Sequence, residues 1–440
     1  MTRHVPEGAL ARARIAGATA VKLGVGQLSH RAKRPFLSEA EREADRQALD
    51  DRQARLLFDT LSQLRGTALK VAQMLCMEAE LLPEAYRREL ERSCHRVPPL
   101  NRVLVRKALM NEFGQPPEAL FARFDAEAFA AASLGQVHAA TLHDGRNVAV
   151  KIQYPGIHVA IDSDVALMRQ FARGLPNARI ALQSLEEIHA RLREEVDYRQ
   201  EAANTTWFRQ QLGAGPIRVP AVIPERSGSR VLTTDYAEGL HLEGWLKTAP
   251  TQAARDLAAQ RLYDLFVHSA LELRRLHADP NPGNTLFSAD GSITLIDFGC
   301  VKDLSPGFLE MLPRVLMAYL DDDPGALFEA YERLGMLYGN DAARSYDNIL
   351  RPFGHWLVEP LRDEFFDFGI HSDYTARGRD VIQGLQRIKG LHRLADEFVY
   401  FDRTIYGLCK LFERMGARVR LRHHWMNGAT DRSRTWKTSS

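Results

Sequence analysis

The sequence predicts an α+β protein with a helical extension, a mixed segment of strands and helices, and a helical C-terminal half. Three observations support this class. A helical pattern runs through residues 46–92, strand patterns fill much of 127–240, and helical periodicity dominates residues 251–425. No repeat of solenoid period interrupts this order.

Length and composition place the chain among globular proteins. Its 440 residues are 45% hydrophobic and 26% charged, which excludes collagen-like, wholly disordered and disulfide-rich miniprotein classes. No apolar run reaches the ~20 residues of a membrane-spanning helix, and Arg12, Arg14 and Lys22 argue against a secretory signal. The cysteines lack zinc-ligand spacing, so we expect free thiols in a reducing compartment. They are Cys76, Cys94, Cys300 and Cys409.

Charge is distributed unevenly along the chain. The formal net charge is +2, but residues 1–34 carry +6 and residues 416–440 carry +5, which leaves −9 between them. Basic ends can meet anionic lipid headgroups or nucleic acid, or can be solvated tails. We find no basic patch interleaved with aromatic residues, so we do not expect nucleic acid as a partner.

The helical extension carries one apolar stripe. At about 100° per residue, Lys70 and Gln73 fall roughly opposite this stripe, and geometry alone makes them solvent-facing. Gly66 costs ~1 kcal/mol relative to Ala inside a helix, which indicates close approach of another group. The stripe recurs at spacings of four and three residues and consists of Leu57, Leu61, Leu64, Ala68, Val71 and Leu75.

A predicted hairpin places a lysine on a strand. Residues 135–142 and 147–153 read as strands that flank a turn containing Asp-Gly, a pair favoured in tight hairpins. Lys151 ends a Val-Ala-Val-Lys sequence and projects opposite the apolar face of its strand. This setting matches the protein-kinase lysine that contacts nucleotide phosphates, although any exposed strand can carry a lysine.

Two acidic motifs follow in kinase order. His277, Asp279 and Asn284 have the spacing of a kinase catalytic loop, whose Asp accepts the substrate proton and whose Asn binds metal. A turn without chemistry could have the same composition. A predicted strand over 292–296 leads into Asp297 of an Asp-Phe-Gly motif, whose Asp holds Mg²⁺ in kinases. The order of all three motifs predicts a kinase-like nucleotide site.

Other kinase parts are absent or ambiguous. Alanines replace the glycine-rich loop before Lys151, and their Cβ atoms would crowd a phosphate loop. Ala278 stands where catalytic loops carry Arg, and no Ala-Pro-Glu follows Asp-Phe-Gly, so we do not expect a peptide-phosphorylating kinase. A Glu partner for Lys151 is expected on a following helix, where spacing does not select one acid. The candidates are Glu186, Glu187, Glu194, Glu195, Asp197 and Glu201.

Over roughly residues 50–415 these segments resemble the AarF/UbiB family of atypical kinase-like proteins. Residues 70–73 look like its K-x-G-Q motif, with Ala72 in place of Gly, and residues 130–138 resemble its alanine-rich loop. The Glu-Val-Asp at 195–197 resembles its E-x-D motif. The resemblance implies a bilobal protein-kinase-like fold with the helical N-terminal extension packed over the active site.

The resemblance also implies roles for individual residues. Asp279 would be the catalytic base, Lys151 would pair with Glu201, and Asn284 and Asp297 would hold Mg²⁺ beside ATP. The alanine loop and the chain near 236 would contact the nucleotide through Ala130, Ala131, Ala132, Ser133, Lys151, Tyr236 and Ala237. A regulatory cluster over the active site, restraining turnover, would comprise Lys70, Gln73, Glu195 and Asp197.

The implied function is that of an ATP-dependent atypical kinase or ATPase supporting ubiquinone (coenzyme Q) biosynthesis or prenyl-lipid homeostasis. Expected partners are a prenyl-quinone precursor or anionic lipid, and proteins of that pathway. One alternative is a nucleotide-dependent scaffold or lipid-extraction factor. Another is a phosphotransferase of the aminoglycoside-kinase type, against which the alanine loop and the Lys70 helix argue. We expect a cytoplasmic protein without a transmembrane helix, peripheral on the inner face of a membrane through basic residues 10–34.

The predicted domain order has five parts. They are a mobile basic segment at 1–45, the helical extension at 46–120, a kinase-like N-lobe at 121–240, a helical C-lobe with the catalytic loop at 241–415, and a basic tail at 416–440.

Overall fold

Helices and strands in the computed structural model are divided between two units. The N-terminal unit contains the chain up to residue 202 together with 222–236, and the C-terminal unit contains 203–221 and the chain from 237 onward. The structure describes residues 9–33, 37–64, 102–132, 134–172, 182, 185–186, 189–190, 192–193, 196–289, 291–338, 346–385, 391–393 and 396–422.

The described elements confirm a mixed α and β protein. The helices are α1 Ala9–Lys33, α2 Glu39–Leu64, α3 Arg102–Phe113, α4 Pro117–Leu120, α5 Ile157–Ala172, α6 Tyr198–Leu212, α7 Leu242–Lys247, α8 Gln252–Val267, α9 Pro306–Leu320, α10 Pro324–Arg333, α11 Arg351–Val358, α12 Tyr374–Leu385 and α13 Asp396–Met415. The strands are β1 Arg123–Phe124, β2 Ala130–Ala132, β3 Gly135–Thr141, β4 Asn147–Gln153, β5 Ile217–Arg218, β6 Val231–Asp235, β7 Arg275–His277, β8 Thr285–Phe287, β9 Ile293–Leu295, β10 Val301–Asp303, β11 Leu337–Tyr338, β12 Phe366–Asp367, β13 Leu391–Arg393 and β14 Arg418–Val419.

An antiparallel sheet forms the centre of the N-terminal unit. Strand β3 pairs with β1, β2 and β4, and β4 pairs with β6 on its other side. The alternation in β4 buries Val148, Val150 and Ile152 completely, and they pack in one core cluster with Val105 and Leu109 of α3. Because side chains alternate across a strand, Lys151 lies on the opposite face of the same sheet.

The described part of segment 1–45, which we predicted to be mobile, contains helix α1 and the start of helix α2. Helix α1 lies against α2 and α5, and the hydroxyls of Thr19 and Thr60 meet at 3.0 Å between α1 and α2. Ser38 and Glu41 exchange capping hydrogen bonds at the start of α2, so this helix begins earlier than predicted. Residues 65–101 lie outside the described part, and with them the rest of the predicted 46–92 helix.

The C-terminal unit is built on an aromatic-rich helical core. Tyr263, Phe298 and Phe412 are among its fully buried side chains. Short antiparallel ladders join β7 to β10 and β8 to β9, and they carry the two acidic motifs. The first ladder pairs Val301 with His277, and the second pairs Thr285 with Leu295.

The predicted basic tail begins too early at residue 416. Strand β14 pairs antiparallel with β12, and Val419 and Leu421 are buried in the core of the C-terminal unit. Apolar residues alternate with Arg418 and Arg420, which is a strand pattern with charged side chains on one face. Residues 423–440 are not among those described. No helix within the described ranges is long and apolar enough to cross a membrane.

Candidate active site

Lys151 and Glu201 form a buried ion pair in the N-terminal unit. The Nζ atom of Lys151 lies 2.8 and 2.9 Å from the two carboxylate oxygens of Glu201. The lysine side chain is 14% exposed and the glutamate 4%. Strand β4 fixes the lysine between two hydrogen-bonded neighbours, and α6 presents the glutamate in its first turn. The structure thus selects Glu201 from the acids that spacing left open.

Asp197 supports the helix that carries this glutamate. Asp197 immediately precedes α6, and Arg199 lies in the first turn of that helix. The Oδ1 atom of Asp197 accepts a hydrogen bond from the backbone N–H of Arg199 at 3.0 Å. A carboxylate at this position satisfies an orphan donor of the helix and favours its N-terminal dipole. The other three residues of the predicted regulatory cluster, Lys70, Gln73 and Glu195, fall outside the described residues.

The alanine-rich segment is a strand rather than a loop. Residues Ala130–Ala132 pair in register with β3, with Ala132 opposite Gly135. A Cβ at Gly135 would lie 2.2 Å from the carbonyl oxygen of Ile152, so the close approach of β3 to β4 requires glycine. Ser133 is not described. Pairing with β3 explains the difference, because alanines favour an extended backbone more than glycines do.

Tyr236 follows β6 at the last position of the N-terminal unit and is 43% exposed. Its ring centroid lies 5.7 Å from that of Phe129, which is 52% exposed and immediately precedes the alanine strand. Phe129 is not among the predicted nucleotide contacts, although it is the neighbour of the alanine run in sequence. Ala237, the neighbouring predicted nucleotide contact, belongs to the C-terminal unit.

The catalytic-loop motif forms a compact turn in the C-terminal unit. Asn284 Nδ2 donates to Asp279 Oδ2 at 2.9 Å. Asn281 accepts from Gly283 N–H at 2.9 Å and from Asn284 N–H through its backbone oxygen, which closes a short helical turn. Ala278 is fully buried and its N–H donates to the Cys300 carbonyl, so an arginine would not fit here without rearrangement.

Buried side chains hold the Asp-Phe-Gly segment. His277 Nε2 lies 2.8 Å from the Asp297 carbonyl oxygen, and Gly299 N–H donates to Asp297 Oδ1 at 2.9 Å. The Phe298 ring is fully buried, 5.1 Å from Phe208 and 5.2 Å from His277 between ring centroids. This packing restricts where the carboxylate of Asp297 can point.

The residues predicted to hold Mg²⁺ suit that ion in type and place. Thr285 pairs with Leu295 across the β8–β9 hairpin, and Ile296 N–H donates to the Asn284 carbonyl. Asn284 and Asp297 therefore lie at the same end of this hairpin. Both offer oxygen ligands, which Mg²⁺ prefers. Within the described ranges, no group of three or more His, Cys, Asp or Glu side chains could hold a metal ion.

Comparison with known proteins identifies the family. The model of the ABC1 atypical kinase-like domain matches residues 92–331, which is more than half of the chain. This chain belongs to the ABC1 atypical kinase-like family. The match confirms the resemblance to AarF/UbiB proteins and the kinase-like fold.

Individual relatives extend the similarity over most of the chain. The mitochondrial atypical kinase COQ8B of Rattus norvegicus is 32% identical over 96% of this chain and 80% of its own length. The mitochondrial atypical kinase COQ8 of Saccharomyces cerevisiae is 30% identical over 84% of this chain and 75% of its own. A solved structure, the complex of Rv3197 with erythromycin from Mycobacterium tuberculosis, shares 28% identity with a TM-score of 0.58. The match covers 88% of this chain and 97% of that one.

Proposed function

We propose that this member of the family is a Mg²⁺-dependent, ATP-binding atypical kinase or ATPase that supports ubiquinone biosynthesis. The observation that carries the proposal is a full set of phosphoryl-transfer side chains, each held by a specific partner. Lys151 is bound by Glu201, Asp279 by Asn284, and the backbone of Asp297 by His277. The names of the COQ8 relatives support the pathway.

Each side chain has one task in the proposed reaction. Lys151 donates to phosphate oxygens of ATP while Glu201 keeps its ammonium in place. Asp279 accepts the proton of an attacking hydroxyl, either water or the hydroxyl of a small lipid-like acceptor. The new O–P bond forms as the bond from the γ-phosphorus to the bridging oxygen breaks, and ADP leaves. Asn284 and Asp297 would hold Mg²⁺, which would neutralise phosphate charge when bound.

Calorimetric titration with ATP, with and without Mg²⁺, tests this proposal. Asp297→Asn should abolish the Mg²⁺-dependent part of nucleotide binding, because it removes the anionic ligand. Asp303→Asn is the matched control, since that carboxylate is 84% exposed in the same unit. Equal Mg²⁺-dependent affinity in Asp297→Asn and wild type would refute the metal assignment. A second assay measures the release of ADP and of phosphate in the presence of prenylated phenols. Hydrolysis releases both, whereas phosphoryl transfer releases ADP without phosphate.

A nucleotide-dependent scaffold or lipid-extraction factor is the second candidate. The paired strand Ala130–Ala132 favours it, because strand pairing and three Cβ atoms limit how closely the backbone can follow phosphates. Asp279→Asn in a quinone-deficient complementation strain distinguishes the two functions. Full rescue by a folded variant supports a scaffold, and failure of rescue supports chemistry.

Peripheral membrane contact is the third part of the proposal. On α1, Val21 and Val25 are 67% and 60% exposed, beside exposed Lys22 and Arg14. Exposed apolar side chains flanked by cations are typical of helices that lie at an anionic surface. Co-sedimentation with cardiolipin-containing vesicles should weaken in Val21→Asp and stay unchanged in Asp51→Asn, an exposed position on α2. Equal sedimentation of Val21→Asp and wild type would contradict this contact.

A further inference from the structure

Asn204 lies inside helix α6 with both ends of its amide bound. It is 3% exposed. Its Nδ2 donates to the carbonyl oxygen of Phe298 at 3.0 Å, and its Oδ1 accepts from Arg275 Nη2 at 2.9 Å. One buried side chain thus joins the Asp-Phe-Gly segment to the strand that leads into the catalytic turn.

Burying the amide of Asn204 costs more free energy than burying an apolar side chain of similar volume would. Transfer of an amide from water without hydrogen bonds costs roughly 1–3 kcal/mol in proteins, and Asn is a weaker helix former than Leu. Leu would fill a similar volume without either penalty. The two hydrogen bonds of the amide offset this cost. We therefore expect the side chain of Asn204 to orient its neighbours rather than to bury apolar surface.

The same face of α6 holds Phe298 in a second way. Phe208 follows Asn204 by four residues, so the two side chains stand on one face of the helix. Asn204 binds the backbone of Phe298, and Phe208 packs on its ring at 5.1 Å. The side chain of His277 binds the neighbouring backbone carbonyl, that of Asp297. Two consecutive carbonyls of the Asp-Phe-Gly segment are therefore bound by buried side chains.

Arg275 anchors the other end of the amide. It lies in β7, two residues before His277, and pairs with Asp303 of β10 across the ladder. Its guanidinium lies 4.8 Å from the ring of Trp207 on α6. Because Arg275 is held by a strand and an aromatic face, it orients the amide of Asn204 so that Nδ2 points at Phe298.

We propose that Asn204 is a positioning residue that locks the Asp-Phe-Gly segment and thereby places the carboxylate of Asp297. Loss of its donor lets the segment open more often, exposing Cys300 next to Gly299. It also raises the cost of forming the metal-binding arrangement. The effect on Asp297 as a metal ligand rests on the proposed function, whereas the effect on local opening does not.

Thiol labelling measures the opening directly in the full-length protein. Neither Cys300 nor Cys409 is in a disulfide and both are buried, so the iodoacetamide rate at each reports local opening, with Cys409 as the internal control. Asn204→Leu removes both hydrogen bonds of the amide, of which one holds the Asp-Phe-Gly segment. Loss of that one bond should raise the Cys300 rate about three- to tenfold and leave the Cys409 rate unchanged. Mass spectrometry identifies the labelled peptide.

Two further variants separate the donor from general destabilisation. Asn204→Asp keeps an acceptor for Arg275 and puts a carboxylate oxygen in place of the donor to the Phe298 carbonyl, so its Cys300 rate should also rise. Arg275→Met keeps the apolar stem on Trp207 and the donor of Asn204, but it removes the group that orients the amide. Its Cys300 rate should therefore rise, but less than in the two Asn204 variants. The Mg²⁺ midpoint for ATP binding should rise in both Asn204 variants in parallel with the Cys300 rate.

The outcomes distinguish this inference from the proposed function. Unchanged Cys300 labelling in both Asn204 variants overturns the positioning role, whether or not the protein binds ATP. Faster labelling with an unchanged Mg²⁺ midpoint overturns the link to Asp297. A wild-type protein that binds no Mg²⁺-nucleotide refutes the proposed function, and labelling of Cys300 still decides whether Asn204 locks the segment.

Discussion

The Lys151–Glu201 pair provides a quantitative test of the N-terminal unit that does not depend on catalysis. Glu201→Ala removes a partner bound at 2.8 and 2.9 Å from an ammonium whose side chain is 14% exposed. Removing one member of a buried ion pair costs about 3–5 kcal/mol. Lys151 retains some solvent and the Tyr198 ring at 5.0 Å, so we expect a loss near the lower end, about 3 kcal/mol.

The double variant makes the prediction specific to the pair. Lys151→Met/Glu201→Leu replaces both charges by apolar side chains of similar size, a change that is often nearly neutral for a buried pair. We expect its unfolding free energy to lie within about 1 kcal/mol of wild type, with a coupling energy above about 2 kcal/mol. Arg146→Met is the control, because Arg146 and Asp144 form an exposed pair worth under about 1 kcal/mol.

Urea unfolding followed by far-ultraviolet circular dichroism provides the assay. The wild type, Glu201→Ala, the single variants Lys151→Met and Glu201→Leu, their double variant and Arg146→Met are compared under one set of conditions. The double variant could instead lose as much unfolding free energy as the two single variants combined. Such additive losses would refute the argument that Glu201 stabilises the charge of Lys151.

Three other substitutions test close packing and burial. Gly135→Ala should destabilise the sheet by about 3 kcal/mol, because its Cβ would lie 2.2 Å from the Ile152 carbonyl oxygen; amide exchange in β3 and β4 should accelerate, and unchanged protection would contradict this. Gly407→Ala would place a Cβ 2.3 Å from Pro280 Cγ in the catalytic turn, so the kcat for ATP hydrolysis should fall about tenfold or more with a smaller change in KM; an unaltered kcat would count against that contact. Burial raises the pKa of Asp402 to about 7, so the folded protein holds a proton that the unfolded chain releases near pH 4, and stability should fall as pH rises from about 4 to about 7. Asp402→Asn should flatten this dependence by an amount on the order of 1–3 kcal/mol, seen in melting temperatures at pH 5.5 and 8.

Features that depend on neighbouring residues could be predicted from the sequence. Strand β4 has its predicted bounds and β3 ends one residue early, because alternation and an Asp-Gly turn are local properties. Asn284 donates to Asp279 within one turn, because a spacing of five residues leaves few ways to arrange the two side chains.

Other features required contacts between distant parts of the chain. Glu201 lies fifty residues from Lys151, and six acids had suitable spacing until the position of α6 selected one. Asn204 lies ninety-four residues from Phe298, and nothing in its sequence neighbourhood indicates a buried amide. The pairing of β14 with β12 moved residues 416–422 from a presumed tail into the fold.

The sequence alone determined the family, the class of chemistry and the order of the motifs, because these depend on residue identity and spacing. Only the tertiary structure decided which glutamate holds the lysine, that the alanine run is a paired strand, and that an asparagine on α6 binds the Asp-Phe-Gly backbone. The physical reason is that burial gives a hydrogen bond or an ion pair its energy, and burial results from the packing of distant segments.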